Sequence, residues 1–259
     1  MRIALAQLAS SDDVATNLVS VRDVVARASA SEAGLVLLPE YAMYGRKVVD
    51  ESFAHVAEPL DGPFGRAVAS AAREHGIAIV IGMVERHPDA LRPYNTLAVF
   101  DSTGELVGRS RKIQLYDAHG YEESRWISPA PDPVPVIVDL GELRIGPLTC
   151  YDLRFPELAR ALAAGGAHLL AVCASWVPGV HKLEQWQVLA RARAIEDGCL
   201  VAAVSQPAPM SVGHSLVVDP DGVVIAQAGD GAQLLIADVD PATVALARER
   251  YPGLLRRRV

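Results

Sequence analysis

Leu143-Arg144-Ile145-Gly146-Pro147-Leu148-Thr149-Cys150-Tyr151-Asp152-Leu153-Arg154-Phe155-Pro156-Glu157 is the stretch on which the fold turns. Its first seven residues read as a strand, and Pro156 suits the first turn of a helix, where a missing N–H costs nothing. Cys150 therefore stands on a sharp strand-to-helix turn. Such a turn exposes a side chain at a sheet edge and aims backbone N–H groups at whatever is bonded to it. Most lone cysteines are buried structural thiols. Cys173 and Cys199, set in the apolar runs around Leu169–Val172 and Gly198–Val204, fit that description. Cys150, with its polar, turn-forming flank, does not.

Outward from this turn, hairpins and helices alternate. Gly141-Glu142 joins strand-like Val136–Leu140 to Leu143–Thr149, and Asp219-Pro220-Asp221-Gly222 marks a second reversal. Helices are predicted at Pro156–Ala164 and Leu183–Asp197, with strands at His168–Val172 and Leu200–Val204. The first half repeats the theme: strand Arg2–Gln7, an amphipathic helix near Asp13–Ala30, and the apolar strand Gly34–Leu38. A helix near Gly65–Glu74 closed by Gly76 follows, then strand Ile77–Ile81 and a hairpin of Thr96–Phe100 with Glu105–Arg111. Hairpins and crossovers together predict an α/β protein of two packed mixed sheets with helices on the outer faces. No low-complexity linker interrupts residues 1–259, so a single domain is expected. Ala42–Pro63 and Ile113–Pro135 are the long irregular stretches, and loops of that length in a compact domain tend to carry function.

Two further strand ends carry charge. Glu40 follows Gly34-Leu35-Val36-Leu37-Leu38-Pro39, an apolar strand buried on both faces. A carboxylate just past such a strand is partly desolvated and suited to proton transfer near neutral pH. Lys112 ends the strand Glu105–Arg111. The chain has only three lysines, Lys47, Lys112 and Lys182, among 24 basic residues, so a lysine at a strand end points to a need for a compact ammonium. Glu122 and Glu123, in the loop that follows, are each placed to supply a second carboxylate.

Composition excludes several classes. Hydrophobic residues make up 51% of the 259, and the net charge of −7 is spread with mixed signs. That is not the basic surface that nucleic acid requires, and the Arg256-Arg257-Arg258 run is too short to supply one. No apolar run is long enough for a membrane span, and Met1 leads directly into a strand, so a cytoplasmic protein with reduced thiols is expected. No metal-ligand spacing, phosphate loop or dinucleotide fingerprint is found, so neither metal nor cofactor is expected.

Leu38-Pro39-Glu40, Arg111-Lys112-Ile113-Gln114-Leu115 and Cys150-Tyr151-Asp152-Leu153-Arg154-Phe155-Pro156-Glu157 resemble, in order and context, the glutamate, lysine and cysteine motifs of the nitrilase superfamily. Tyr94-Asn95-Thr96, Gly120-Tyr121-Glu122-Glu123-Ser124, Ala174-Ser175-Trp176 and Ala190–Ala194 extend the likeness along the chain. The residues after Cys150 look like the amidase branch that includes omega-amidases and deaminated glutathione amidase. They differ from the tryptophan-containing sequence of true nitrilases.

The resemblance implies a four-layer αββα sandwich that pairs into a homodimer, and a cofactor-free triad of Glu40 as base, Lys112 as oxyanion stabiliser and Cys150 as nucleophile. The Tyr151 backbone N–H joins Lys112 at the oxyanion, and Trp176 belongs to the substrate pocket. A second glutamate is placed at Glu123, which precedes Ser124, with Glu122 the alternative. Gln114 departs from the pattern, since relatives often have histidine there. The activity implied is hydrolysis of a small carboxamide through a cysteine thioester, with release of ammonia. An N-carbamoyl amine hydrolase and a catalytically silent adaptor of the same fold are the alternatives. Arg154, four residues past Cys150, is placed either to hold a substrate carboxylate at the pocket mouth or to pair with Asp152 or Glu157.

Overall fold

Alternation along Arg2–Gln7 sets the layering: Ile3 and Leu5 face one side of the strand, Ala4 and Ala6 the other, and all four are buried. The computed structural model describes residues 1–88, 91–254 and 256; of the terminal arginines, Arg257 and Arg258 lie outside that set. Its first half runs β1 (Arg2–Gln7), α1 (Val14–Ala30), β2 (Leu35–Leu37), α2 (Ser52–Val56), α3 (Pro63–His75), β3 (Ala78–Glu85), β4 (Tyr94–Phe100) and β5 (Leu106–Arg111). The second half runs β6 (Val138–Leu140), β7 (Leu143–Thr149), α4 (Pro156–Ala164), β8 (Leu169–Ala174), α5 (Lys182–Asp197), β9 (Leu200–Ser205), β10 (Leu216–Val218), β11 (Val224–Gln227), β12 (Gln233–Asp238) and α6 (Pro241–Arg250).

The strands form two six-stranded sheets, ordered β12-β1-β2-β3-β4-β5 and β11-β10-β9-β8-β7-β6. In the first, β1, β2 and β3 are parallel and their outer neighbours antiparallel; in the second, β7, β8 and β9 are parallel in the same way. Ile3, Leu5, Leu35 and Leu37 of the first sheet meet Ile145, Leu169, Ala171 and Val204 of the second in a shared core between them. On the outer face of the first sheet lie Val21 and Val25 of α1 with Phe64 and Val68 of α3. Leu162 of α4 and Trp186 and Ala190 of α5 cover the second sheet. The result is the αββα sandwich.

Local signals explain the helix boundaries. The Asp13 side chain accepts the Thr16 N–H and caps α1, while Gly76 ends α3 at φ 61°, a left-handed conformation that glycine adopts without strain. Three features depart from the sequence expectation. The β3 strand continues to Glu85 instead of stopping at Ile81, because its last residues pair with β4 down to Glu85 opposite Tyr94. A short helix, α2, lies inside the Ala42–Pro63 stretch read as irregular. Finally, β12 returns to pair with β1 from Arg2 opposite Asp238 to Gln7 opposite Gln233, and α6 follows it, capped by Asp240.

Cys173 is fully buried in the core between the sheets and Cys199 in the core under α5, and burial raises both thiols well above the ordinary range. Exchanging Cys173 for serine puts a hydroxyl into apolar surroundings. The expected cost is about 1–3 kcal/mol of stability, read as a lowered midpoint in thermal or urea unfolding. An unchanged midpoint would mean that the core adapts to the hydroxyl.

Candidate active site

Glu40 leaves the end of β2 on a turn laid directly against β3. Gly82 makes this approach possible: a Cβ there would stand 2.5 Å from the Tyr41 nitrogen, 2.6 Å from the Pro39 oxygen and 2.7 Å from the Glu40 Cα. Two hydrogen bonds stitch the turn to Gly82, its N–H to the Pro39 carbonyl at 3.3 Å and the Met43 N–H to its own carbonyl at 3.1 Å. From the other sheet, Gln206 Nε2 donates to the Glu40 carbonyl at 3.0 Å. So fixed, the Glu40 side chain is buried. Its Oε1 accepts from Lys112 Nζ and Asn95 Nδ2, both at 2.8 Å, and its Oε2 from the Ser175 N–H at 2.7 Å.

Lys112 comes off β5 with its N–H on the Asn95 carbonyl and its own carbonyl accepting from Ala130. Its ammonium also reaches Glu123, at 3.0 Å to Oε1 and 2.7 Å to Oε2. Glu123 opens a single 3₁₀ turn, Glu123–Arg125, and takes further hydrogen bonds from the Tyr41 hydroxyl and the Tyr116 N–H, each at 2.7 Å. Of the two glutamates left open by the sequence, Glu123 joins the cluster. Glu122 has its side chain 72% exposed and lies 3.7 Å from Arg125. Burial alone would lower the Lys112 ammonium, but Glu123 and then Glu40 outweigh it and hold it well above its usual range. For Glu123, burial pulls upward, and the Lys112 charge with the hydrogen bonds prevails, leaving the carboxyl below its ordinary value. Tyr41 is pushed well up by burial and by the two carboxylates.

Cys150 begins the 3₁₀ turn Cys150–Arg154 with φ 47°, a left-handed conformation unusual for a residue with a Cβ. Asp152 holds the turn through both of its oxygens, Oδ2 accepting the Thr149 N–H at 3.3 Å and Oδ1 the Gln114 N–H at 2.8 Å. One carboxyl thus ties the Cys150 turn to the loop after Lys112, and burial pushes it up to about 7. Cys150 is 8% exposed. Burial and the adjacent Glu40 carboxylate raise its thiol well above the ordinary value, with Lys112 opposing them.

These groups share a cleft of about 610 Å³ that opens to solvent. Tyr116, Tyr121, Tyr151 and Trp176 form much of its wall, with the Tyr116 and Tyr151 rings edge to face at 4.9 Å. Glu40, Lys112, Glu123, Cys150, Tyr151 and Trp176 all line this cleft. Arg154 and Gln114 are not among the cleft-lining residues. The Arg154 guanidinium lies 4.9 Å over the Trp176 ring and donates to Gln185; among the described residues it forms no ion pair with Asp152 or Glu157. Gln114 lines a separate hollow with Phe155 and Leu158. Among the described residues no group of three or more His, Cys, Asp or Glu is arranged to hold a metal ion. Tyr41, Gly82, Asn95, Ser175 and Lys182 were not singled out individually from the sequence. Asn95 and Ser175 do fall in stretches that carry the resemblance.

The carbon-nitrogen hydrolase family model matches residues 2–249. The chain belongs to the carbon-nitrogen hydrolase family. It is 43% identical to hydrolase Rv0480c of Mycobacterium tuberculosis over 98% of this chain and 94% of that one. It is 34% identical to the deaminated glutathione amidase of Escherichia coli O157:H7 over 100% and 97% of the two chains. Among solved structures, the nitrilase-superfamily amidase of Nesterenkonia sp. AN1 superposes with a TM-score of 0.82 at 30% identity, over 99% of this chain and 98% of that one. That structure is of a glutamate-to-glutamine variant and holds an acrylamide adduct on its active-site cysteine.

In this carbon-nitrogen hydrolase the Gly82 contact sets where Glu40 stands. Gly82→Ala forces the Glu40 turn off β3, and displacement on the scale of 1 Å costs up to about a hundredfold in rate. Turnover at saturating substrate is expected to fall by at least about tenfold while circular dichroism still reports a folded protein. Wild-type turnover in a folded Gly82→Ala variant would show that the turn tolerates the displacement.

Proposed function

We propose that the protein is an amidase that hydrolyses a small carboxamide to a carboxylic acid and ammonia through a thioester on Cys150. The observation that carries this reading is the position of the Lys112 ammonium, clamped between Glu40 and Glu123 in the cleft that Cys150 lines. The amidase names of the relatives add support.

Because the thiol is held protonated at rest, attack on the carbonyl carbon needs a base, and Glu40 is the carboxylate beside it. As sulfur bonds to carbon, the proton moves to Glu40, and the electron pair of the C=O bond moves to oxygen. Lys112 and the Tyr151 N–H receive that oxyanion; Tyr151 lies at the start of a 3₁₀ turn, where N–H groups lack partners within the turn. Protonated Glu40 gives its proton to the amide nitrogen, the C–N bond breaks and ammonia leaves. Water then attacks the thioester, losing a proton to Glu40, and the thiol is regenerated as the acid departs. Glu123 orients Lys112 through both of its oxygens. Trp176 supplies apolar wall against the acyl chain. A thiol nucleophile with two further unpaired cysteines suits the reducing cytoplasm.

Cys150→Ala is expected to abolish ammonia release without loss of the fold, and Glu40→Gln and Lys112→Met each to lower turnover by at least about a hundredfold. Mass spectrometry then separates the roles. Thioester formation in Glu40→Gln at the wild-type rate would remove Glu40 as the base for attack. Carbon dioxide released together with ammonia would move the substrate to an N-carbamoyl amine, and no turnover on amides, carbamoyl amines or nitriles would favour a silent adaptor.

We also propose that two copies pair through an apolar face of the second half. Val188 and Ile195 of α5, Val223 and Ile225 near β11 and Leu246 of α6 are all exposed, and Ile195 lies against Gly222. Sedimentation is expected to report a dimer for the wild type and a monomer for Ile195→Glu. An Ile195→Glu protein that stays dimeric would place the interface elsewhere.

A further inference from the structure

We infer that the Lys182 ammonium, with the Tyr116 hydroxyl, is the seat for a carboxylate at the end of the substrate remote from its amide. This rests on the amidase reading of the cleft and adds the residue that selects among amides.

Lys182 opens α5, lines the cleft and is 6% exposed. Its backbone is fixed on both sides, its N–H on the Gly179 carbonyl at 3.1 Å and its own carbonyl accepting the Trp176 indole N–H at 2.9 Å. The side chain is held by aromatic groups alone: Nζ lies 3.1 Å from the Tyr116 hydroxyl, 4.9 Å from the centre of that ring and 5.0 Å from the centre of Trp176. Among the described residues no carboxylate lies within ion-pairing distance of it.

Other basic groups in and behind the cleft are answered. Lys112 has Glu40 and Glu123, Arg46 has Asp50 at 3.4 Å and Asp12 at 3.9 Å, and Arg154 has Gln185. Lys47 stands exposed at the rim, where water solvates it. Lys182 alone combines burial in the wall with a charge that no acidic side chain meets. Taking an ammonium out of water without a counter-ion is costly, and protein interiors seldom bear that cost without return. Burial, and then repulsion from Arg154, lower this ammonium, so an anion arriving beside it is drawn in by an undercompensated charge.

The donors suit a carboxylate. An ammonium has three N–H groups, and the Tyr116 hydroxyl accepts one, which leaves two for a ligand. That hydroxyl keeps its own proton to donate to the same ligand. Glu40 and Glu123 line the same cleft, and Glu40 lies close enough to Cys150 to raise its thiol. An acid-bearing amide is thus oriented by charge: its carboxylate is repelled from Cys150 and held at Lys182, and the uncharged amide is left to face the thiol. Lys182 and Cys150 line the same cleft, so amide and acid belong to one small molecule. Arg154, the sequence candidate for this role, stands behind Trp176 and reinforces the positive end without lining it.

The test uses glutaramate, its neutral methyl ester and two readouts. The first is kcat and KM for ammonia release from each compound in the wild type, Lys182→Met and Lys182→Arg. Wild type is expected to favour glutaramate over the ester, and Lys182→Met to cut that preference by about tenfold to a hundredfold, mainly through KM, the range expected for a lost charge-assisted hydrogen bond. Lys182→Arg, which keeps the charge, is expected to retain most of the preference. An equal preference in wild type and Lys182→Met overturns the assignment, as does a wild type with no preference. Should Lys182→Met fail to fold, Lys182→Gln reads the same ratio.

The second readout is calorimetric binding of glutaramate to Cys150→Ala with and without Lys182→Met. It stands even if no amide is turned over, which would refute the amidase reading by itself. Binding weakened by about tenfold or more on losing Lys182 supports the seat. Equal binding, or none in Cys150→Ala, overturns it.

Discussion

A single ammonium, that of Lys112, lies between two buried carboxylates, and much of the molecule's loop structure follows from that fact. Three charged groups out of water cost several kcal/mol each unless every lone pair and proton finds a partner. The protein meets the requirement with donors from four separate segments: Asn95 from β4, the Ser175 N–H after β8, the Tyr116 N–H from the long loop, and the Tyr41 hydroxyl from the turn after β2. Loss of the Ser175 N–H leaves Glu40 Oε2 without a partner, and loss of any other donor leaves a carboxylate oxygen with fewer bonds, so the loops that bring them are as constrained as the strands. This is why the Ile113–Pro135 stretch, irregular in secondary structure, still has a defined path.

The two sheets explain why these segments converge. Each has three parallel strands flanked by antiparallel ones, and in each the second parallel strand ends at the site: β2 delivers Glu40, and β8 delivers the N–H of Ser175 that binds it. The first parallel strands correspond in the same way. After β7 comes Cys150, whereas β1 ends in Gln7, whose amide accepts the Ser215 N–H at 2.9 Å and donates to the Gly229 carbonyl at 2.7 Å. Equivalent positions thus brace one sheet against the other in the first half and carry the thiol in the second.

Sequence reading reached what local physics writes into short windows. Pro156 fixed the start of α4, Asp13 that of α1 and Gly76 the end of α3, since caps act within a turn or two. Glu40, Lys112 and Cys150 were legible because each is a polar residue at the end of a strand. The pairing of β12 with β1 was not, because it joins residues more than two hundred apart and its stretch has exposed and buried positions without a clean period. Gly82 was missed for a related reason: its importance lies in what approaches it, the Glu40 turn, and nothing in Ala78–Glu85 reveals that approach. Lys182 was counted but not placed, since its burial depends on Trp176 and Tyr116 folding over it.

If Cys150 is the nucleophile as proposed, the charge balance around it bears on when the thiol reacts. Many activated cysteines rest as thiolates beside a surplus of positive charge. Here one ammonium faces two carboxylates, and the thiol is raised, so the negative charge lies on oxygen while the site is empty. In the proposed mechanism that balance changes only when a carbonyl oxygen approaches Lys112, because the charge developing there has a donor waiting while a thiolate beside Glu40 would not. Proton loss from sulfur is thereby coupled to bond formation at carbon. A buried, protonated thiol is also a poor target for oxidants, which attack the thiolate. The same burial that makes the group inert at rest leaves it dependent on correct placement of the amide.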